Sequence, residues 1–229
     1  MKRLMCYVVV MMALSIGFVS CEDDEVVMPE YPNETFYDIA TFLGHSQDNA
    51  VFELQKDEDS EPVRLTAVGV YLDTTSIKPD MRVLIGYVPK SGAAYVSDKI
   101  TLVGVGRIFN DVSHNVNLAD YPDWDGTPIH LLSMWRTGKY INIHCQVVYD
   151  KTGARFGLLV DETTIDNEYP DAYLVYIPEG DPDSYNKNLY ASIDISEVWY
   201  RRGCKVINIH LNNSNLGEDT FRYIKNNNN

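Results

Sequence analysis

Recognisable chemistry is what this sequence has least of. It contains no Gly-x-Ser-x-Gly elbow, no phosphate loop and no Gly-x-Gly-x-x-Gly fingerprint; Gly104-Val105-Gly106 is followed by Arg107-Ile108-Phe109 and lacks a helix start. No cofactor is implied, and nothing in the pattern requires an enzyme. Basic residues are few, 19 Lys and Arg against 33 Asp and Glu, for a formal charge of −14. The first twenty residues hold Lys2 and Arg3 and no acid, so the rest of the chain stands at −16. A field of that sign repels phosphate backbones and excludes nucleic acid as a partner. Cysteine is scarce as well: Cys145 and Cys204 are the only thiols beyond residue 21. They can form a disulfide, but Cys145 shares the parity of Ile143 and Cys204 that of Asn208 and His210, which favours two buried thiols. A zinc site that adds His144 and His210 is disfavoured, because His144 and Cys145 point to opposite faces of one strand. No internal repeat is evident, and the helical period is almost absent after residue 35.

What is present begins with an address. Lys2-Arg3 precede an apolar run from Leu4 to Ile16, then Gly17-Phe18-Val19-Ser20-Cys21. This reads as a signal peptide over 1–20 that is too short for a comfortable span, with Cys21 placed as the acylated residue of a lipobox. The lipid would be the only membrane contact, and its acyl chains exceed the two signals that stable anchoring needs. Residues 21–34, opening on Glu22-Asp23-Asp24-Glu25 and carrying Pro29 and Pro32, read as an acidic tether. An acidic run directly after an acylated Cys resembles the surface-export signal of Gram-negative anaerobes. The expected location is therefore the outer membrane, facing the exterior.

From Thr35 onward the chain is predicted to be all-β. Runs at 35–43, 50–54, 63–71, 81–88 and 95–108 are rich in aromatic and β-branched residues and are separated by charged or glycine-bearing turns. Five strands in so short a span, with glycines where strands can bend, predict a small OB-like β-barrel over 35–110. Residues 111–127 are polar and read as a linker. Seven further strands over 128–225 predict a C-terminal β-sandwich. In its Tyr140–Tyr149 strand, Ile141, Ile143 and Cys145 share the inward parity and Asn142, His144 and Gln146 the other. Arg136-Thr137-Gly138-Lys139 reads as a tight polar turn, and Ser196–Arg201 as a single helical turn.

These residues are similar to those of the NigD-like lipoproteins of anaerobic Gram-negative bacteria. The likeness rests on Cys21 with its acidic tether, Ile39-Ala40-Thr41-Phe42, and Asp80-Met81-Arg82-Val83-Leu84-Ile85-Gly86-Tyr87. In the second half it rests on Ser133-Met134-Trp135, Tyr140-Ile141-Asn142-Ile143, Phe156-Gly157-Leu158-Leu159-Val160, Leu174-Val175-Tyr176 and Ser192-Ile193-Asp194-Ile195-Ser196. The resemblance spans nearly all of the chain after the signal. It implies an N-terminal OB domain, a C-terminal β-sandwich, and at most an immunity or accessory role beside a bacteriocin system. It carries no defined site to these residues.

Candidate contact residues are aromatics in or beside acidic loops: Tyr121, Trp124, Tyr169, Tyr185, Trp199 and Tyr200. Such side chains stack on a sugar ring or anchor a protein partner, so the partner expected is a protein or a glycan. Asp120, Asp123 and Asp125, followed by Gly126, imitate part of a calcium loop but lack its regular alternation and closing Glu. The leading expectation is a noncovalent interaction or protection module. A carbohydrate-binding or glycan-processing accessory protein is the alternative.

Overall fold

The computed structural model describes residues 35–148, 154–180 and 186–225. The segments predicted as signal peptide and tether, Cys21, Tyr185 and the terminal asparagines lie outside the described residues. β1 (Phe36–Ser46), β2 (Asn49–Leu54), β3 (Val63–Ala67), β4 (Arg82–Pro89) and β5 (Asp98–Arg107) close into a barrel in the order β1-β2-β3-β5-β4. All pairs are antiparallel except β3 with β5. β1 serves two neighbours, pairing through Phe36–Thr41 with β4 and through Thr41–Ser46 with β2. A bulge between Phe42 and Gly44, where Gly44 takes φ +105°, bends the strand so that one segment can close the sheet on itself. Alternation puts Ala40, Phe42, Phe52, Leu65, Val83 and Ile85 inside. Each large apolar side chain so buried contributes about 1.5–3 kcal/mol.

A small polar cluster enters this barrel. The Asp38 carboxylate accepts hydrogen bonds from the Tyr87 hydroxyl at 3.0 Å and the Tyr95 hydroxyl at 3.1 Å. Burial pushes its pKa above the ordinary 3.8, and the two hydroxyls offset only part of that. The Tyr95 hydroxyl is pushed up to about 12, by burial and by the neighbouring carboxylate. A carboxyl with a raised folded pKa contributes stability that is fully present below its unfolded pKa and lost as pH rises through the folded value. Asp38→Asn removes this titration. The variant is expected to gain stability relative to wild type as pH climbs from 3.8 through the raised value; urea midpoints that run parallel across that range would refute the assignment.

The chain then enters the sandwich without a linker. β6 (Phe109–Val112) pairs parallel with β12 (Asn186–Asp194), and β7 (His114–Val116) pairs parallel with β10 (Ala154–Asp161). The segment 111–127, read from sequence as a linker, holds the end of β6 and all of β7, an edge strand in each sheet, joined at buried Ser113. One sheet runs β6-β12-β9-β8, with β8 (His130–Thr137) and β9 (Tyr140–Val148). The other runs β14-β13-β11-β10-β7, with β11 (Asp171–Pro178), β13 (Val206–His210) and β14 (Thr220–Ile224). The sandwich thus has nine strands among the described residues, two more than the seven predicted. A single helical turn, α1 (Ser196–Trp199), follows β12.

Ile141, Ile143 and Cys145 point into the sandwich core with Leu158, Leu174, Ile193, Ile207 and Ile209. Cys145 and Cys204 are both buried and free. Burial raises the Cys145 thiol to about 12. Of the four residues read as a polar turn, Arg136 and Thr137 finish β8, and only Gly138-Lys139 turn the hairpin.

Candidate functional site at the junction of barrel and sandwich

Asn142 and Ser192 have the outward parity of β9 and β12, yet both are buried, because the barrel covers that face of the sheet. Arg82, the first residue of β4, fills the contact. Its Nε donates to Ser192 Oγ at 3.0 Å, its Nη1 to Thr41 Oγ1 at 3.1 Å, and its Nη2 to Ile39 O and Asn142 Oδ1, each at 3.2 Å. Tyr140 lies under the guanidinium at 4.4 Å. No carboxylate among the described residues forms an ion pair with Arg82; neutral acceptors from both halves contact the charge, and Glu53 favours it from a longer distance. Desolvation lowers its pKa to about 10, which leaves it protonated at neutral pH. Its backbone is tied as well: Arg82 N donates to Asn110 Oδ1 at 2.7 Å, and Asn110 Nδ2 to Arg82 O at 2.9 Å.

A second arginine fastens the other side. Arg136 is 2% exposed. Its Nη1 donates to Glu58 O at 2.9 Å and Gly138 O at 2.6 Å, and its Nη2 reaches Asp59 Oδ1 at 2.8 Å and Glu58 Oε2 at 3.3 Å. The barrel turn between β2 and β3 thereby sits on the β8–β9 hairpin. The turn also favours glycine at 138, whose backbone is left-handed at φ +54°, and a Cβ there would push the end of the Gln55 side chain aside. With a buried cation at each end and two short strands between, barrel and sandwich form one unit.

Between these fastenings opens a cleft of about 760 Å³. Its floor carries Arg136, Lys139, Tyr140, Trp199 and Lys225, and its wall and rim carry Glu53, Glu58, Asp59, Glu61 and Asp80. The rings on the floor already serve the chain's own cations. Arg136 stacks on Trp199 at 4.3 Å, with Lys225 at 5.9 Å; Lys139 lies 5.2 Å from the Tyr140 ring that also meets Arg82. Lys139 is further bound to Asp194 at 2.7 Å, and Lys225 Nζ donates to Trp199 O at 2.9 Å. Asp194 lies below its ordinary range: desolvation, which raises it, is outweighed by hydrogen bonds from Lys139 and Ser196. Glu58 and Asp59 are used by Arg136, whereas Glu53, Glu61 and Asp80 form no ion pair among the described residues.

Among the described residues the structure brings two of the predicted aromatics together. Trp199 and Tyr200 both line the cleft, but Trp199 is a buried anchor at 4% exposure and Tyr200 a free surface ring at 62%. Trp124 packs edge-on against Tyr173 at 4.8 Å, and Tyr173 stacks on His210. Tyr121 lines a separate notch of about 540 Å³ beside Asp111, His114 and Arg155. Tyr169 is exposed on the loop before β11. Among the described residues no three His, Cys, Asp or Glu side chains, Asp120, Asp123 and Asp125 included, form a group that could hold a metal ion. Asp120 instead ends a short 3-10 turn, Leu118–Asp120, capped by Asn117.

No protein-family model and no curated protein matches the chain. Solved structures do share its fold. A protein of unknown function, DUF1344, from Bacteroides vulgatus superposes with a TM-score of 0.67 at 16% identity over 85% of this chain and 92% of its own. A NigD-like immunity protein from Bacteroides caccae does so with a TM-score of 0.56 at 16% identity, over 86% and 99%. A Bacteroides fragilis protein assigned as a lipoprotein has a TM-score of 0.53 at 13% identity, over 83% and 96%. The all-β arrangement of barrel and sandwich is thus the fold of a NigD-like protein.

Proposed function

We propose that this chain is a NigD-like lipoprotein of the cell envelope, anchored through Cys21, facing the exterior, that works by noncovalent docking of a protein partner in the junction cleft. The carrying observation is the state of the cleft's rings. Sugar binding uses free aromatic faces as platforms, but Tyr140 and Trp199 already hold Arg82, Arg136, Lys139 and Lys225. What remains is an exposed Tyr200 beside carboxylates that form no ion pair among the described residues, on a floor fixed from both sides, which suits a protein surface better than a glycan. The address supports the envelope location: the apolar run, Ser20-Cys21 and the acidic residues after them. The shared fold with a NigD-like immunity protein and a protein assigned as a lipoprotein supports the same reading.

Cys21→Ala is expected to leave the fold intact and to move the protein from the membrane fraction to the soluble fraction of detergent-free lysates. Retention in membranes would refute the lipid anchor. The docking surface is tested by affinity capture from envelope extracts with wild type and Tyr200→Ala side by side. A specific protein enriched by wild type and lost with Tyr200→Ala is the expected result; enrichment indifferent to the substitution removes the cleft as the docking site, and enrichment of a polysaccharide in place of protein favours the carbohydrate reading.

A further inference from the structure

We infer that the junction cleft takes an extended basic segment of polypeptide, its Lys or Arg side chains meeting Glu53, Glu61 and Asp80 and a main-chain carbonyl meeting Arg136. This rests on the reading of the cleft as a docking site and names the chemistry of its occupant. Two independent features of the cleft converge on it. The first is charge. The cations at the floor are consumed internally by Glu58, Asp59, Asp194 and the ring faces, while Glu53, Glu61 and Asp80 form no ion pair among the described residues; Glu53 interacts electrostatically with Arg82, and Glu61 and Asp80 are exposed. The second is a donor. Arg136 is buried and every other polar contact of its guanidinium is made, yet its Nε has no hydrogen-bond partner. A buried donor without an acceptor is costly, and a carbonyl oxygen that displaces the side chains covering Nε relieves it.

The two features together select among ligand classes. A polyamine or a metal ion supplies positive charge but no acceptor for Arg136. A neutral glycan supplies acceptors but nothing for three carboxylates, and it finds the floor rings occupied. An acidic peptide or phosphate is repelled by the rim. A basic peptide brings both groups on one backbone, and Tyr200 offers its apolar ring to the stem of a Lys or Arg. Such a contact is steered by the chain's negative field and weakens with salt.

The test uses the purified lipidated protein in neutral detergent and a fluorescein-labelled decapeptide of alternating Lys and Ser, read by fluorescence anisotropy. The same peptide with Glu for Lys, and unlabelled spermine as competitor, are the controls. The basic peptide is expected to bind, the acidic one not, and spermine to compete poorly. The triple variant Glu53→Gln, Glu61→Gln, Asp80→Asn is expected to weaken binding by roughly tenfold, the sum of a few partly exposed charge pairs. Equal affinity of wild type and triple variant would overturn the inference, since attraction would then come from the overall charge of the chain. Displacement by spermine at a concentration equal to the peptide's would overturn the carbonyl contact. If the peptide fails to bind but Tyr200→Ala still abolishes partner capture, only the basic-segment inference falls; if both fail, the cleft itself is not the docking site.

Discussion

Replacing Arg82 by alanine is expected to cost the fold about 3–5 kcal/mol, because one side chain supplies donors to groups in both halves and fills the volume between them. Its removal leaves Ile39 O and Thr41 Oγ1 on the barrel side, and part of the Asn142–Ser192 pair on the sandwich side, without their donor. It also leaves an unfilled volume beside Tyr140. Arg82→Met keeps most of the volume while losing the donors, so it is expected to cost less, about 2 kcal/mol. The three tryptophans, Trp124, Trp135 and Trp199, all lie in the sandwich half, and the barrel is monitored by its tyrosines. Urea unfolding followed by tryptophan fluorescence and by near-ultraviolet tyrosine dichroism is therefore expected to show one coincident transition in wild type. Arg82→Ala should shift both signals to lower urea. A shift worth less than about 1 kcal/mol would mean that the buried cation is a passenger and not a fastening.

The barrel was legible in the sequence because its strands alternate and its charged turns punctuate them. Met81–Val88 shows the logic: Val83, Ile85 and Tyr87 share one parity and are all fully buried. Arg82 was not legible, although it stands in the same strand. A charge of outward parity ordinarily faces water, and here it faces a sheet whose Ser192 lies 110 residues away. The same long-range cover turns outward Asn142 from a surface residue into a wholly buried one. Parity reports which face a side chain takes, and only tertiary packing reports what lies beyond that face.

The edge strands β6 and β7 were missed for a related reason. They span four and three residues, and Asn110, Asp111, His114 and Asn115 dilute any apolar alternation. Their identity comes from parallel partners, β12 and β10, that occur much later in the chain. Aromatics beside acids were a partial guide to the site. Tyr200 is free and Trp199 is not, although both follow Glu197, because the single turn of α1 rotates adjacent residues onto different faces.

Trp199 separates an anchor from a contact. If it were a surface platform, as its acidic neighbourhood suggests, truncation would abolish binding and spare stability. At 4% exposure, under Arg136 and within the sandwich core, it is instead expected to carry stability: Trp199→Ala should cost about 3–5 kcal/mol. Trp199→Phe keeps a ring for the guanidinium and loses only part of the volume, so its cost should be about 1–2 kcal/mol. The phenylalanine variant should also retain affinity for a basic peptide, since Glu53, Glu61, Asp80 and Tyr200 are untouched. The order tryptophan, phenylalanine, alanine in urea midpoint, with binding preserved in the phenylalanine variant, is the signature of an anchor that shapes the cleft from below. Binding lost in that variant without a shift in midpoint would instead make Trp199 the contact residue, and the cleft would have to open further than its present walls allow.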